Sequence, residues 1–348
     1  MPARFAMGPA ERAWIDKVFA HYDAIGLDPG YQGHFEGLYC AAFERFMGGG
    51  HADAVATGTS ALYVALAALD LPKGSEVLVS PITDPGSISA IILNGLVPRL
   101  LDTARGSYNT GAEQVEARLG PQVRAAMIVH STGQASEIGP IAELCRARGV
   151  RLLEDCSQAH GAAWKGRKVG TFGDIAAFST MYRKAHATGA SGGVVYTMDR
   201  ALHERALAHA DRGKPRWRAD FDDRDPSDYL FPALNHNTDE ISCALGIASL
   251  ERLPATIAAR LAYVRGLCEG LAGANAVRPR AFSDADSPFI HPVFVDLPGG
   301  AATKKRFSQA VLAEGIGLNP HYMYLVREWH WVRPYLADDF ACPNATAA

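Results

Sequence analysis

Three segments of the sequence put side chains where they could do chemistry. Ala56–Leu62 reads ATGTSAL and runs into an apolar helix. Gly-Thr-Ser at a helix start offers free backbone N–H groups, hydroxyls and the positive end of the helix dipole, which together can cradle a phosphate. Serine and threonine are also ordinary helix N-caps, and the segment alone supports both readings. Leu152–Gly161 reads LLEDCSQAHG. Its Asp155 ends an expected buried strand, where α/β folds hold their ligands. A protonated pyridine nitrogen would be a strong partner for that carboxylate, because a charge-assisted bond fixes the cation and strengthens the ring as an electron sink. Capping of the next helix is the plainer alternative. Gly173–Gly193 reads GDIAAFSTMYRKAHATGASGG and carries Lys184 five residues after Ser179, between a strand and a Gly-rich turn. A lysine taken alone is a solvated surface charge. The unusual feature is the order: a phosphate cradle, a strand-end aspartate, then a lysine behind Phe178-Ser179.

The elements around these segments have a regular rhythm. Short apolar runs at Glu76–Ser80, Val97–Asp102, Ala125–His130, Arg151–Asp155, Ile175–Ser179 and Gly193–Thr197 alternate with helical stretches at Ser60–Leu69, Pro85–Asn94, Ala112–Leu119 and Gly139–Arg148. Continuous apolar strands alternating with helices predict an α/β domain with a mainly parallel central sheet and helices on both faces. Beyond Gly193 come a helix at 199–211, a polar loop, and helical structure at Thr238–Leu271 with a break expected at Pro254. A strand at His291–Leu297 and a helix at Thr303–Glu314 predict a small C-terminal α+β domain. The expected division is 1–250 and 251–348, in keeping with a length of 348 residues.

Composition narrows the partners. Hydrophobic residues make up 48% and charged residues 20%, the balance of an ordinary globule, and a net charge of −3 provides no basic field for nucleic acid or an anionic membrane. The six cysteines form no CxxC pair, so neither a zinc site nor a disulfide framework is indicated. Reduced thiols and a cytoplasmic protein are the simpler expectation. The N-terminus reads as an amphipathic helix, not a signal peptide, and no stretch is expected to span a membrane.

Taken together, the three segments resemble the DegT/StrS family of pyridoxal-phosphate (PLP) dependent sugar aminotransferases, of the aspartate-aminotransferase fold (fold type I). The likeness runs from about residue 30 onward and is strongest over DCSQAHGAAWKGRKVGTFGDIAAFS, Asp155–Ser179. It implies that Lys184 carries the cofactor as a Schiff base, Asp155 partners the pyridine nitrogen and Gln158 lies near the phenolic oxygen. It also implies that Thr59, Ser60 and Ser179 bind the phosphate. Asn235, in PALNHNTDEISCALG, matches the residue that reaches the phosphate of a neighbouring subunit, so a homodimer with shared active sites is expected. On local sequence alone Asn235 reads as a cap of the following helix. The implied activity moves an amino group from an amino acid, glutamate or glutamine, to a keto-sugar, nucleotide-sugar or related keto acceptor. Lys184 would be the general acid–base and no metal is implied.

Three departures from the family pattern stand out. Asp84 occupies the position where an aromatic residue usually stacks on the cofactor ring, Asn237 replaces an arginine, and the chain stops at CPNATAA where members usually continue, so a truncated C-terminus is expected. These keep two rivals open: a sugar dehydratase, in which the family's known deoxysugar 3-dehydratases have His in place of the lysine, and a non-catalytic PLP-binding sensor. Elsewhere, His160 and His186 read as packed histidines, and His130 could face the ligand. Arg183 is expected to point away from its neighbour Lys184. Tyr322, Tyr324, Trp329, Trp331 and Tyr335 read as packing first and a sugar pocket second. Asp220, Asp222, Asp223 and Asp225 read as a solvated loop, lacking the spacing of a calcium loop.

Overall fold

Runs of Val, Leu, Ile and Ala with no polar face form strands here because both faces of the sheet are covered by helices. The computed structural model describes residues 1, 7–319 and 325–347. The first part of the chain contains α1 (Pro9–Ile25), α2 (His34–Met47), β1 (His51–Val55), α3 (Gly58–Ala68), β2 (Glu76–Val79), α4 (Pro85–Leu93) and β3 (Val97–Leu100). Next come α5 (Ala112–Arg118), β4 (Val123–Val129), α6 (Ile138–Ala147), β5 (Arg151–Asp155), a small hairpin of β6 (Ala163–Trp164) and β7 (Arg167–Lys168), β8 (Ile175–Ser179), β9 (Gly193–Thr197) and α7 (Arg200–Ala210). The C-terminal part holds α8 (Glu240–Gly270), β10 (Val277–Pro279), β11 (Val293–Val295), α9 (Gly300–Ala313) and α10 (Pro343–Ala347).

Seven strands form the main sheet in the order β1-β9-β8-β5-β4-β2-β3. Only β9 runs against its neighbours, so the sheet is mainly parallel, as the apolar runs predicted. From β2 the chain adds β3 on one side and β4 on the other. That reversal opens a crevice at the C-terminal ends of the strands, where α/β sheets bind ligands.

Alternation along the strands divides the core. Leu153 of β5 faces α3 and α4 together with Val79, Ile88 and Leu66, whereas Leu152 faces the α5 and α6 side with Leu78, Ile128 and Ile141. A third cluster packs Tyr39 and Phe43 of α2 and Cys243 of α8 against Phe178. Phe178 is 1% exposed, so truncating it to Ala should cost about 3–5 kcal/mol.

Sequence periodicity did not anticipate β1, α2, β10 or the β6–β7 hairpin, which are short or lie in glycine-punctuated stretches. Another difference is α8, which continues through Pro254 for 31 residues with no break. A mid-helix proline costs about 3 kcal/mol. The helix carries it because the buried face, Cys243, Ile247, Leu250, Leu253 and Val264, runs unbroken past the proline. α8 is also long and apolar enough by composition to cross a membrane, contrary to the sequence expectation, yet half of its most apolar stretch is buried inside the fold. Residue 250, the expected domain boundary, lies within α8.

Candidate active site

The crevice at the strand ends holds a cavity of about 230 Å³. Thr57, Gly58 and Thr59 line it from the start of α3, Asp84, Gly86 and Ser87 from the start of α4, and Asp155, Gln158, Ser179 and Lys184 from β5, β8 and the turns after them. The structure therefore brings together Lys184, Asp155, Gln158, Thr59, Ser179 and Asp84, spread over a hundred residues of sequence.

The α3 end of the cavity is shaped for an anion. Thr57 is the N-cap, and its hydroxyl oxygen accepts the Ser60 N–H at 2.8 Å. The amides of Gly58 and Thr59 have no acceptor within the helix and open towards the cavity at the positive end of the helix dipole. Gly58 is required by close approach, since a Cβ there would lie 2.5 Å from the Ser179 Cβ. Ser60 does not line the cavity: its hydroxyl lies between Thr57 Oγ1, at 2.9 Å, and His236 Nδ1, at 3.2 Å. Of the expected phosphate ligands, Thr59 and Ser179 line the crevice and Ser60 does not; Thr57, which caps α3, and Ser191 line the same end.

Asp155 is buried at the sheet end, and its carboxylate is held from two sides. Ser87 Oγ donates to Oδ2 at 2.9 Å, and the Ser157 N–H donates to Oδ1 at 3.1 Å. Thr83 Oγ1 lies 2.7 Å from Ser87 Oγ. With the Ser87 proton given to a carboxylate, Thr83 must be the donor in that contact, so the hydroxyls form an oriented relay into Asp155. Sequence reasoning missed Thr83 and Ser87, although PITDPGSIS carries a usable signal: Asp84 caps α4, its carboxylate accepting the Gly86 N–H at 2.9 Å, and Ser87 follows in the first turn. Asp84 thus lines the cavity as a capping carboxylate. The described lining residues include no aromatic ring at all.

Lys184 sits in a tight loop after β8. Its backbone N–H donates to the Met181 carbonyl at 2.9 Å, and the loop is cross-braced by Thr180 and Thr188, whose hydroxyls are 2.7 Å apart. Burial pulls the Lys184 amine below its ordinary value of 10.5, while the charges of Asp155 and Asp84 partly oppose that fall. Its Nζ lies 4.6 Å from the centroid of the Phe289 ring, a contact the sequence did not announce. Gln158 is oriented by the Thr132 N–H, which donates to Oε1 at 2.8 Å.

Other candidates are engaged elsewhere. His130 Nδ1 accepts the Ser136 N–H and Nε2 faces Glu154 at 3.0 Å, so this histidine braces the strand end and does not face the ligand. Glu154 in turn accepts the N–H groups of Gly170, Phe172 and Gly173, which ties up the His130–Glu154–Cys156 cluster as structure. His160 packs on Phe178 and His186 bonds Tyr39, and burial lowers the pKa of His160 well below 6.5. Arg183 lies outside on the Tyr182 ring. Asp223 pairs with Lys214, and Asp222 and Asp225 accept backbone N–H groups of their own loop. Trp329 stacks on Trp331 at 5.7 Å, whereas Tyr322 and Tyr324 lie outside the described residues. Asn235 is exposed and absent from the cavity wall. Its Oδ1 accepts the N–H of Asn237 at 3.0 Å, and α8 is capped by Asp239, not by Asn235.

An anion cradle, a held carboxylate and a partly desolvated amine in one crevice form a donor set that fits a phosphorylated, protonated heteroaromatic aldehyde. Comparison with known proteins points the same way. A protein from Vibrio cholerae named GDP-perosamine synthase is 31% identical over 237 residues, 67% of this chain and 62% of that protein. A putative L-glutamine:3-amino-2,3-dideoxy-scyllo-inosose aminotransferase from Micromonospora echinospora is 31% identical over 225 residues, 64% of this chain and 52% of that protein. The matched stretches thus span less than two thirds of either relative. Among solved structures, the aminotransferase TlmJ from Streptoalloteichus hindustanus superposes with a TM-score of 0.86 at 25% identity, over 99% of this chain and 89% of that one. The profile of the DegT/DnrJ/EryC1/StrS aminotransferase family matches residues 29–348, so the chain belongs to that family.

Proposed function

We propose that the protein is a PLP-dependent aminotransferase that passes an amino group from glutamate or glutamine to a keto-sugar or related keto acceptor. The observation that carries the reading is the meeting of Lys184, Asp155 and the α3 cradle in one cavity. When bound, PLP supplies a carbonyl that condenses with amines and a ring that takes up electrons. Lys184, its pKa lowered by burial, is the amine that holds it. Once displaced by the donor, the same amine would take the proton from the donor's α-carbon and deliver it to the former carbonyl carbon of the cofactor. Asp155, fixed by Ser87 and Ser157, pairs with the protonated ring nitrogen. The amides of Gly58 and Thr59, with the Thr59 and Ser179 hydroxyls, would hold the phosphate. The names of two relatives, GDP-perosamine synthase and a putative L-glutamine:3-amino-2,3-dideoxy-scyllo-inosose aminotransferase, support the donor and acceptor classes. Lys184 itself speaks against the dehydratase reading.

The test is spectroscopic. Purified protein should show a PLP band that borohydride abolishes, leaving the adduct on the Lys184 peptide. Glutamate or glutamine should convert the bound cofactor to its amine form, and a keto-sugar should restore it. Bound PLP that no amino donor converts would leave a sensor. Release of a deoxygenated sugar would make the protein a dehydratase.

The same proposal includes a homodimer with shared sites. Asn235 is exposed next to the cradle, because His236 accepts the Ala56 N–H through its carbonyl at 2.7 Å, and Leu230 and Leu234 beside it are exposed too. Inactive Lys184→Ala and Asn235→Ala chains, mixed under subunit exchange, should regain part of the activity, since a hybrid dimer holds one site with both residues intact. Hybrids that form without regaining activity rule out the shared site.

A further inference from the structure

The turn between β4 and α6 holds Thr132 at φ 64°, a left-handed backbone that β-branched residues rarely adopt. Several contacts impose it. The Thr132 carbonyl accepts the Phe289 N–H at 3.2 Å, and the Gly133 carbonyl accepts the Ser287 N–H at 2.8 Å. The two backbones are so close that a Cβ on Gly133 would lie 1.9 Å from the Ser287 carbonyl oxygen. The far side of segment 285–289 is tied down by Arg260 of α8, which donates to the Pro288 carbonyl at 3.1 Å. Arg280, one residue beyond β10, donates from Nη1 to Thr132 Oγ1.

Arg280 is an expensive residue to place there. It is 5% exposed, its Nε and Nη2 have no hydrogen-bond partner among the described residues, and its nearest carboxylate, Asp286, stays 3.9 Å away. Among the described residues, Tyr108 and His291 are the other titratable groups within reach of its charge. What the arrangement accomplishes is visible at the other end of Thr132. Its N–H donates to Gln158 Oε1, and a backbone N–H can pair only with the oxygen of a side-chain amide. The Gln158 Nε2 donor is therefore left for the cavity that Gln158 lines.

We propose that Arg280, acting through Thr132, is a positioning residue that makes Gln158 a hydrogen-bond donor to the ring oxygen of the bound cofactor, so that the C-terminal segment tunes the proton affinity of the site. This rests on the PLP reading above. A donor to that oxygen favours its anionic form and lowers the pH at which the cofactor band changes. Loosening Gln158 should raise it.

The measurement is a spectral pH titration of the holoenzyme. Arg280→Met and Thr132→Ala should each move the midpoint upward by about half a unit, roughly threefold in proton affinity. Thr132→Ala removes no charge and takes a β-branch out of a left-handed position, so it separates positioning from both field effects and misfolding. Arg280→Lys, which keeps a donor, should recover part of the shift. In a Gln158→Ala background both shifts should vanish, because the path runs through that amide. An unmoved midpoint in Thr132→Ala, or the same shift in the absence of Gln158, overturns the proposal. A wild-type protein without a borohydride-sensitive band instead sinks the functional reading on which it stands.

Discussion

Lys184→Ala should fold, pack its sheet as the wild type does, and lose transamination by at least about 10³-fold, within the range of a lost acid–base group. The loss combines two roles in one amine: holding the cofactor and moving the proton at the donor's α-carbon. The side chain lies on a cross-braced loop, and its replacement removes no core contact beyond the Phe289 ring face. The check is a single-turnover measurement with glutamate beside a thermal melt. A well-folded variant with substantial activity would remove Lys184 from the mechanism. Lys184→Arg should be equally inactive, because a guanidinium neither condenses with the carbonyl nor gives up a proton at working pH. A pH signature accompanies this. Burial lowers the Lys184 pKa, so the amine becomes neutral below pH 10.5. Capture of PLP by the apo form should rise with pH and level off before 10.5, where an unshifted lysine would still be climbing. The same sign applies to stability: between the lowered folded value and 10.5 the unfolded chain binds more protons at this site, so this group favours folding increasingly as pH rises.

Asp155→Asn should reduce the rate of the proton-transfer step by about 10²–10³-fold, the usual effect of removing one preorganised partner of developing charge. Cofactor retention should suffer less, because the α3 cradle and Lys184 remain. Charge develops on the ring only as the proton leaves the donor, which is why the carboxylate counts most in the transition state. Ser87→Ala should follow the same pattern at smaller amplitude, about tenfold, since it frees one oxygen of Asp155 without removing the charge. Rates and PLP dissociation, measured side by side across the two variants, test the ordering. Equal losses in rate and in retention would reduce Asp155 to a packing role.

The segments that meet in the crevice were legible by their order and by the family resemblance, each segment alone having a plainer reading. A strand that ends in Asp155 must be apolar up to that point, and a helix that cradles an anion must open with small residues. A loop that hands an amine back to the sheet needs the turn residues seen around Lys184. The same logic made β2, β3, β4, β5, β8 and β9 readable, since strands buried on both faces are continuous apolar runs. It failed for β1, whose short HADAV run buries an aspartate, Asp53, and for Pro254, where propensity argued for a break that packing overrode. The local reading of Asn235 as the cap of α8 failed because the cap lies at Asp239, and Ser60 bonds His236 and is absent from the cavity wall, since only the packed neighbour decides which side of a helical turn meets the crevice.

What the sequence determined alone is the alternating α/β order, which follows from the periodicity of burial; Lys184, Asp155 and the α3 cradle were singled out by their order along the chain and by the family resemblance that this order carries. What tertiary structure decided is everything that depends on a second segment far along the chain. Ser87 with Asp155, Lys184 with Phe289 and Thr132 with Arg280 are pairs 68, 105 and 148 positions apart, and none of them has a local signature. A hydrogen bond or ring contact between distant segments imposes no spacing rule on the chain, because its geometry is set by how the sheet twists and which helices pack on it. Only the fold brings such partners into contact.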